Sequence, residues 1–185
     1  VTSRGNSGIY LWDISSQKLI SEWSLQSHHI VTALCLHPKD SNICFAGYND
    51  GGLIGVDLRE PLNKYILNTT IDSSVINICH DSNFIYSCSQ SGRCMNWNIQ
   101  NKTLNQCGLK RDEMLSFDVH KELPLMLFSP KESPPFITSP SNTQIIYPVP
   151  DISLSNYSVF HSYLPVFSCG TKSGELYSYQ LITKY

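Results

Sequence analysis

The 185 residues carry 13 Lys and Arg against 15 Asp and Glu, a net charge of −2, with 41% hydrophobic and 15% charged residues. That balance allows a buried core and gives no overall attraction to phosphate, so nucleic-acid binding is not expected: it would need a local basic patch, and Lys110-Arg111 is too short to make one. No apolar run approaches the roughly 18 residues that span a bilayer, which argues against direct membrane insertion, and no basic-plus-apolar leader is visible.

In chain order, Val1 to Gly5, Ile9 to Asp13 and Lys18 to Leu25 read as three strands of a unit whose first strand is missing. The next unit is complete. Val31 to Leu36 stops at His37-Pro38, Ile43 to Ala46 stops at Tyr48-Asn49-Asp50-Gly51-Gly52, Leu53 to Asp57 follows at once, and Tyr65 to Asn68 closes it. Each run is too short for a helix and ends in turn residues that tolerate positive φ. Strict alternation puts Val31, Ala33 and Cys35 on one face and Leu34 and Leu36 on the other, with only Thr32 polar. A strand apolar on both faces is expected between two sheets.

Val75 to Cys79, Phe84 to Cys88, Arg93 to Asn98 and Leu104 to Gly108 repeat the scheme. Met114 to His120 and Leu123 to Phe128 open a fourth copy, which then loosens, because ten of the 22 residues from Ser129 to Pro150 are Pro or Ser. Phe136-Ile137-Thr138 and Gln144 to Tyr147 remain there as short outer strands. Tyr157 to His161, Val166 to Gly170 and Glu175 to Leu181 form the last copy, with a turn at Lys172-Ser173-Gly174.

The copies keep one period. His37, His80, His120 and His161 end apolar runs 43, 40 and 41 residues apart, and Gly8, Gly52, Gly92 and Gly174 lie 44, 40 and 82 apart. The last interval is a double step, so a degenerate copy without its glycine is expected near Ser133. Four strands in each repeat of about 40–45 residues are the signature of propeller blades, and Leu11-Trp12-Asp13 resembles the WD40 form. The expected fold is therefore all-β, a partial WD40-type β-propeller of about five incomplete blades from a ring of about seven. The blades are expected near 1–26, 27–70, 71–110, 111–152 and 153–185. Trp12, Asp13, Asp57 and Trp97 join the four histidines as structural markers, with Trp97-Asn98 a softened Trp-Asp. Because open propeller edges invite pairing, the chain is expected to be a piece of a longer protein that ends in earnest at Lys184-Tyr185.

Several segments resemble the C-terminal propeller of the raptor family, the regulatory subunit of the target-of-rapamycin kinase complex. They are Ile9 to Asp13, Ala46 to Gly52 with Val56-Asp57-Leu58-Arg59, Leu115 to His120, Phe160 to Pro165, and Cys169 to Tyr179. The resemblance implies a cytoplasmic, non-catalytic subunit that helps present substrates to a kinase and reaches nutrient-sensing membranes through protein partners. A generic WD40 scaffold is the alternative, and a propeller hydrolase or an RNA-binding propeller stands further off. The irregular 129–150 segment departs from the family's more regular blade.

Candidate chemistry is sparse. The seven cysteines contain no C-x-x-C pair. Cys35 and Cys79 are assigned one first-strand position and Cys44, Cys88 and Cys169 one second-strand position, so they read as small core residues in a reducing compartment. One histidine per blade at one phase separates these side chains by about a sheet spacing of 10 Å, too far for a shared zinc. His28-His29 matches the Gly-His position of WD40 units. Cys79-His80-Asp81 and Phe117 to His120 hold nucleophile and base types, but neighbours on a strand point to opposite faces. No catalytic residue, metal or cofactor is expected.

Ser129, Ser133 and Ser139, each before Pro, are candidate phosphoacceptors for a proline-directed kinase. Asn68, Asn101 and Asn156 begin sequons read as chance matches. Loop placement nominates Tyr48, Asn49, Asp50, Arg59 and Lys172 as partner contacts.

Overall fold

The computed structural model describes residues 2–3, 8–24, 29–60, 64–67, 72–107, 112–149, 152 and 154–182. All regular structure among them is β. β1 (Thr2–Ser3), β2 (Gly8–Asp13) and β3 (Lys18–Ser24) form one antiparallel sheet, and β4 (Val31–Leu36), β5 (Ile43–Tyr48), β6 (Leu53–Asp57) and β7 (Lys64–Leu67) form the second. β8 (Val75–His80), β9 (Phe84–Ser89), β10 (Cys94–Asn98) and β11 (Leu104–Gln106) make the third. The fourth is β12 (Met114–Val119), β13 (Met126–Pro130), β14 (Phe136–Ser139) and β15 (Asn142–Pro148), and the fifth is β16 (Ser155–Phe160), β17 (Val166–Thr171) and β18 (Leu176–Gln180).

Every sheet is an up-and-down meander. The first strands β4, β8, β12 and β16 contact one another in succession, which stacks the sheets as blades of an arc. The expected propeller is thus present, with three four-stranded blades and two three-stranded ones among the described residues. The fourth copy is more regular than its Pro and Ser content suggests. β14 and β15 pair fully, with two register shifts, and Pro130 and Pro148 sit at strand ends, where a missing N–H costs least. Lys110-Arg111, His28, Asn68 and Lys184-Tyr185 lie outside the described residues.

The core is a set of layers between blades. Ile9, Trp23, Val31, Ala46 and Val56 fill the first, Ala33, Phe45, Leu53, Val75, Ile78 and Ile85 the second. Tyr86, Met114, Phe117, Phe128 and Phe136 belong to the third, and Leu127, Ile137, Phe160 and Phe167 to the fourth. The inner strand β4 does lie between two sheets, but its faces differ from strict alternation. Val31 packs with Leu34 toward blade one, while Ala33 packs with Cys35 toward blade three. The cause is a β-bulge: Val31 pairs with Tyr48 and Ala33 with Gly47, leaving Thr32 as the extra residue.

The same irregularity recurs in the other inner strands, between Val75 and Asn77, Met114 and Ser116, and Ser155 and Tyr157. Beside it, polar bonds tie each inner strand to the next. Thr32 Oγ1 donates to Val75 O at 2.7 Å and Asn77 Nδ2 to Phe117 O at 2.7 Å. Ser158 N donates to Ser116 Oγ at 2.9 Å, and Phe160 N to Asp118 Oδ2 at 2.8 Å.

The turn between second and third strands uses glycine where the backbone is left-handed. Gly51, Gly92 and Gly174 have φ of 90°, 78° and 85°. The marker in blade two is therefore Gly51 rather than Gly52. From the register, Phe136 takes the place of Ile54, so the glycine-free turn near Ser133 lies between β13 and β14, as the spacing implies.

Candidate functional site

In a meander, the turns after first and third strands leave one edge of the arc, and the turns after second strands leave the other. The first kind of turn is capped by its opening residue. His37 Nδ1 accepts from Lys39 N at 3.1 Å and Asp40 N at 3.0 Å. His120 Nδ1 accepts from Glu122 N at 3.2 Å and Leu123 N at 3.0 Å, and His161 Nδ1 from Tyr163 N at 3.2 Å and Leu164 N at 3.0 Å. An imidazole nitrogen here performs the task of an Asx side chain at a turn.

In blade three the phase slips by one residue. His80 is still in β8, opposite Ile85, and Asp81 caps the turn, accepting from Asn83 N at 2.6 Å and Phe84 N at 2.8 Å. His80 is thus not the equivalent of the other three. Each of the four histidines serves its own turn or strand end, and no group of three His, Cys, Asp or Glu among the described residues is placed to hold a metal ion.

The turns after third strands are capped likewise. Asp13 Oδ1 accepts from Ser15 N at 2.9 Å, Asn98 Oδ1 from Gln100 N at 2.9 Å, and Asp57 Oδ1 from Arg59 N at 2.9 Å. Ser139 holds this position in blade four and accepts from Ser141 N at 3.4 Å. Trp97 packs against Phe45 with ring centroids 5.5 Å apart, whereas Trp12 is 45% exposed.

Because a protonated imidazole cannot accept, the cap at His37 works in the neutral form. Burial holds the His37 pKa below its ordinary value, with Lys39 acting in the same direction and Asp40 against it. Its contribution to stability is complete above the unfolded value of about 6.5 and is lost as pH falls below it. Substitution His37→Asn, whose carbonyl oxygen can cap without titrating, is expected to flatten the fall in melting temperature between about pH 6.5 and pH 5. A slope equal to that of the unsubstituted chain would count against the cap.

The first-strand turns of four blades surround a cavity of about 750 Å³, lined among others by Lys39, His80, Lys121, Leu123, Pro124 and Tyr163. Lys121 Nζ donates to His80 O at 2.8 Å. The His80 Nδ1 lies 3.1 Å from Asp81 O, and since a carbonyl only accepts, Nδ1 carries the proton and Nε2 keeps its lone pair. Burial, followed by the Lys121 charge, holds the His80 pKa down. Asp81 is saturated, since its Oδ2 also accepts from the Tyr86 hydroxyl at 2.9 Å. The remaining surface combines two ammonium groups, the Glu122 carboxylate, a 68% exposed Tyr163 ring and apolar Leu123 and Pro124, a mixture suited to a polypeptide segment.

The nominated contact residues do not gather there. Tyr48 is only 5% exposed and packs between blades one and two, because alternation along β5 puts it on the same face as buried Ala46. Asn49 Oδ1 accepts from Ile30 N at 2.9 Å, and Asp50 lies 3.4 Å from His29 Nε2. Lys172 occupies the corresponding turn of blade five and is exposed. Arg59 projects from the opposite edge, its Nη2 2.7 Å from Asp57 Oδ2 and 3.5 Å from Asp40 Oδ2. The Arg59 guanidinium, helped by the Arg59 N–H, holds the Asp57 carboxyl down to about 2.

In the closed fold the buried thiols offer no ready nucleophile. Burial pushes Cys35 up to about 11 and Cys44 and Cys107 to about 12, which keeps them protonated at neutral pH. Asp118, raised by burial, spends its oxygens on Val119 N and Phe160 N. Of the Ser-Pro sites, Ser129 is fully buried and Ser133 Oγ donates to Asp112 Oδ2 at 3.1 Å. The Asn101 sequon side chain accepts from Thr103 N at 3.1 Å.

No known protein-family profile matches the chain. Two curated relatives, the protein transport proteins sec31 of Aspergillus terreus and Aspergillus clavatus, are each 31% identical over 147 residues, 71% of this chain but only 12% and 11% of their own lengths. Among solved structures, Chaetomium thermophilum Raptor superposes over 97% of this chain and 18% of its own, with a TM-score of 0.83 at 16% identity. The computationally designed Ika8 protein covers 97% of this chain and 54% of its own, with a TM-score of 0.73 at 14% identity. Meander topology, the recurring caps and these likenesses together establish the architecture as a partial WD40-type β-propeller.

Proposed function

We propose that this chain is a protein-interaction scaffold without catalytic activity of its own, the propeller of a raptor-like adaptor in a nutrient-responsive kinase complex. The observation that carries the binding role is the cavity walled by turns from four blades, where charged and aromatic side chains stand exposed on a rigid frame. The kinase assignment rests on the segment resemblance and on the 0.83 superposition with Raptor. In this reading the partners are a target-of-rapamycin-type kinase and its adaptors. The protein works in the cytoplasm and reaches organelle surfaces through those partners.

A second reading has its own support. The 31% identity with sec31 favours a scaffold in a protein-transport assembly, the role that relative's name carries. Affinity purification of the full-length protein from its own cells separates the two. A kinase of the target-of-rapamycin type should co-purify, and combining Lys39→Glu with Tyr163→Ala should lower its recovery at least tenfold with little change in melting temperature. Recovery of transport-coat subunits instead would select the second reading. Kinase recovery unaffected by the double substitution would remove the cavity from the interface.

A further inference from the structure

Strict repeat spacing assigns Cys44, Cys88 and Cys169 to one position, but the register separates them. Cys44 pairs with Leu36, Cys169 with Ser158, and Cys88 with Asn77. On its other side Cys88 lies directly opposite Cys94. The pairing of Met95 with Gln106, continued one step, brings Cys107 beside Cys94, and Cys107 N donates to Cys94 O at 3.0 Å. Cys88, Cys94 and Cys107 therefore form one row across three neighbouring strands of blade three, and they are 0%, 0% and 2% exposed. No other two cysteines among the described residues are paired across a ladder in this way.

The two contacts in the row are not alike. Ser89 N donates to Arg93 O at 3.0 Å, which makes that pair hydrogen-bonded and the next one, Cys88 with Cys94, non-hydrogen-bonded. Such pairs bring Cα atoms to about 4.5 Å, at the near end of the roughly 4.4–6.8 Å that a disulfide spans. The Cys88 thiol donates to Ser89 O at 3.6 Å. Cys94 and Cys107 form a hydrogen-bonded pair, for which the Cα separation is about 5.5 Å.

We propose that this row is a reversible oxidation site, in which Cys94 is the central thiol, joins Cys88 first, and passes to Cys107 when Cys88 is absent. The reaction is thiol–disulfide exchange with a small disulfide such as oxidised glutathione. The Cys94 thiolate attacks one glutathione sulfur, the glutathione S–S bond breaks, and a glutathione thiolate leaves. The Cys88 thiolate then attacks the Cys94 sulfur of the mixed disulfide and releases the second glutathione. Two cysteines are oxidised, one glutathione disulfide is reduced, and the two cysteine protons end on the two glutathione thiols. Because the row faces Met114 and Phe128 of blade four, attack requires a transient opening between blades, so oxidation is slow in the folded chain.

The test is to incubate the reduced full-length protein with oxidised glutathione, quench in denaturant with an alkylating agent, and map non-reduced peptides. Within these residues the thiol count is expected to fall from seven to five, with Cys88 linked to Cys94 and both thiols recovered by dithiothreitol. In Cys88→Ala the link should move to Cys94–Cys107 and form at least tenfold more slowly, and in Cys94→Ala no link should form. Seven thiols surviving overnight oxidation, a first link between any other pair, or glutathione adducts alone would overturn the proposal. The peptide map of the unsubstituted protein decides the matter even if a variant fails to fold.

Discussion

Replacing Phe117 by alanine is expected to lower the unfolding free energy by about 3–5 kcal/mol, the usual cost of emptying a fully buried phenylalanine site. Phe117 is 1% exposed, its ring lies 5.0 Å from that of Phe128, and Phe128 in turn stacks on Phe136 at 5.1 Å. The three rings belong to the layer between blades three and four, and the Phe117 carbonyl also receives Asn77 Nδ2. Neighbours anchored in two sheets cannot collapse far into the vacated space, which places the expected cost toward the upper part of that range. Urea unfolding followed by tryptophan emission would measure it. A loss below about 1 kcal/mol would mean that the layer between these blades is not packed as described.

The second large effect is expected at His120. Its Nε2 lies 2.9 Å from Leu164 O, so Nε2 donates while Nδ1 accepts from Glu122 N and Leu123 N. The ring also meets Phe160 edge-on at 5.4 Å, and the residue is 1% exposed. His120→Ala would strand a carbonyl and two N–H groups and open a cavity, at a cost of about 2–4 kcal/mol. His161 caps the equivalent turn at an exposed position, where water can replace the lost acceptor, and His161→Ala is expected to cost about 1 kcal/mol or less. Parallel unfolding curves for the two variants test the comparison. Equal losses would show that the bond to Leu164 across the blades contributes nothing.

Much of the architecture can be read from the amino acids alone, since short apolar runs closed by His-Pro, Asn-Asp-Gly or Ser-Gly leave few alternatives to a meander. What escapes such reading follows from single-residue slips. Thr32 is an extra residue in its strand, so Val31 and Ala33 face opposite blades and not the same one. His80 precedes the capping position by one residue, and Asp81 does the work assigned to the histidine. Ser139 replaces the Asp of the third strand with the same bonding role, which hid a complete fourth blade behind its Pro and Ser content. Tyr48 sits beside a turn, where a surface residue is expected, yet its ring belongs to the core. The cavity was least legible of all, because its walls come from turns as far apart in the chain as Lys39 and Tyr163.

The bulges have a consequence for how this chain can change over generations. Thr32, Ile76, Leu115 and Asn156 each add one residue at the same ladder step of an inner strand. Deleting any of them would slide half a strand by one place and exchange inward for outward side chains on both sides of a blade. Such a frame admits many spellings but is strict about length, so related sequences should drift freely in residue kind while gaps and insertions settle outside the inner strands.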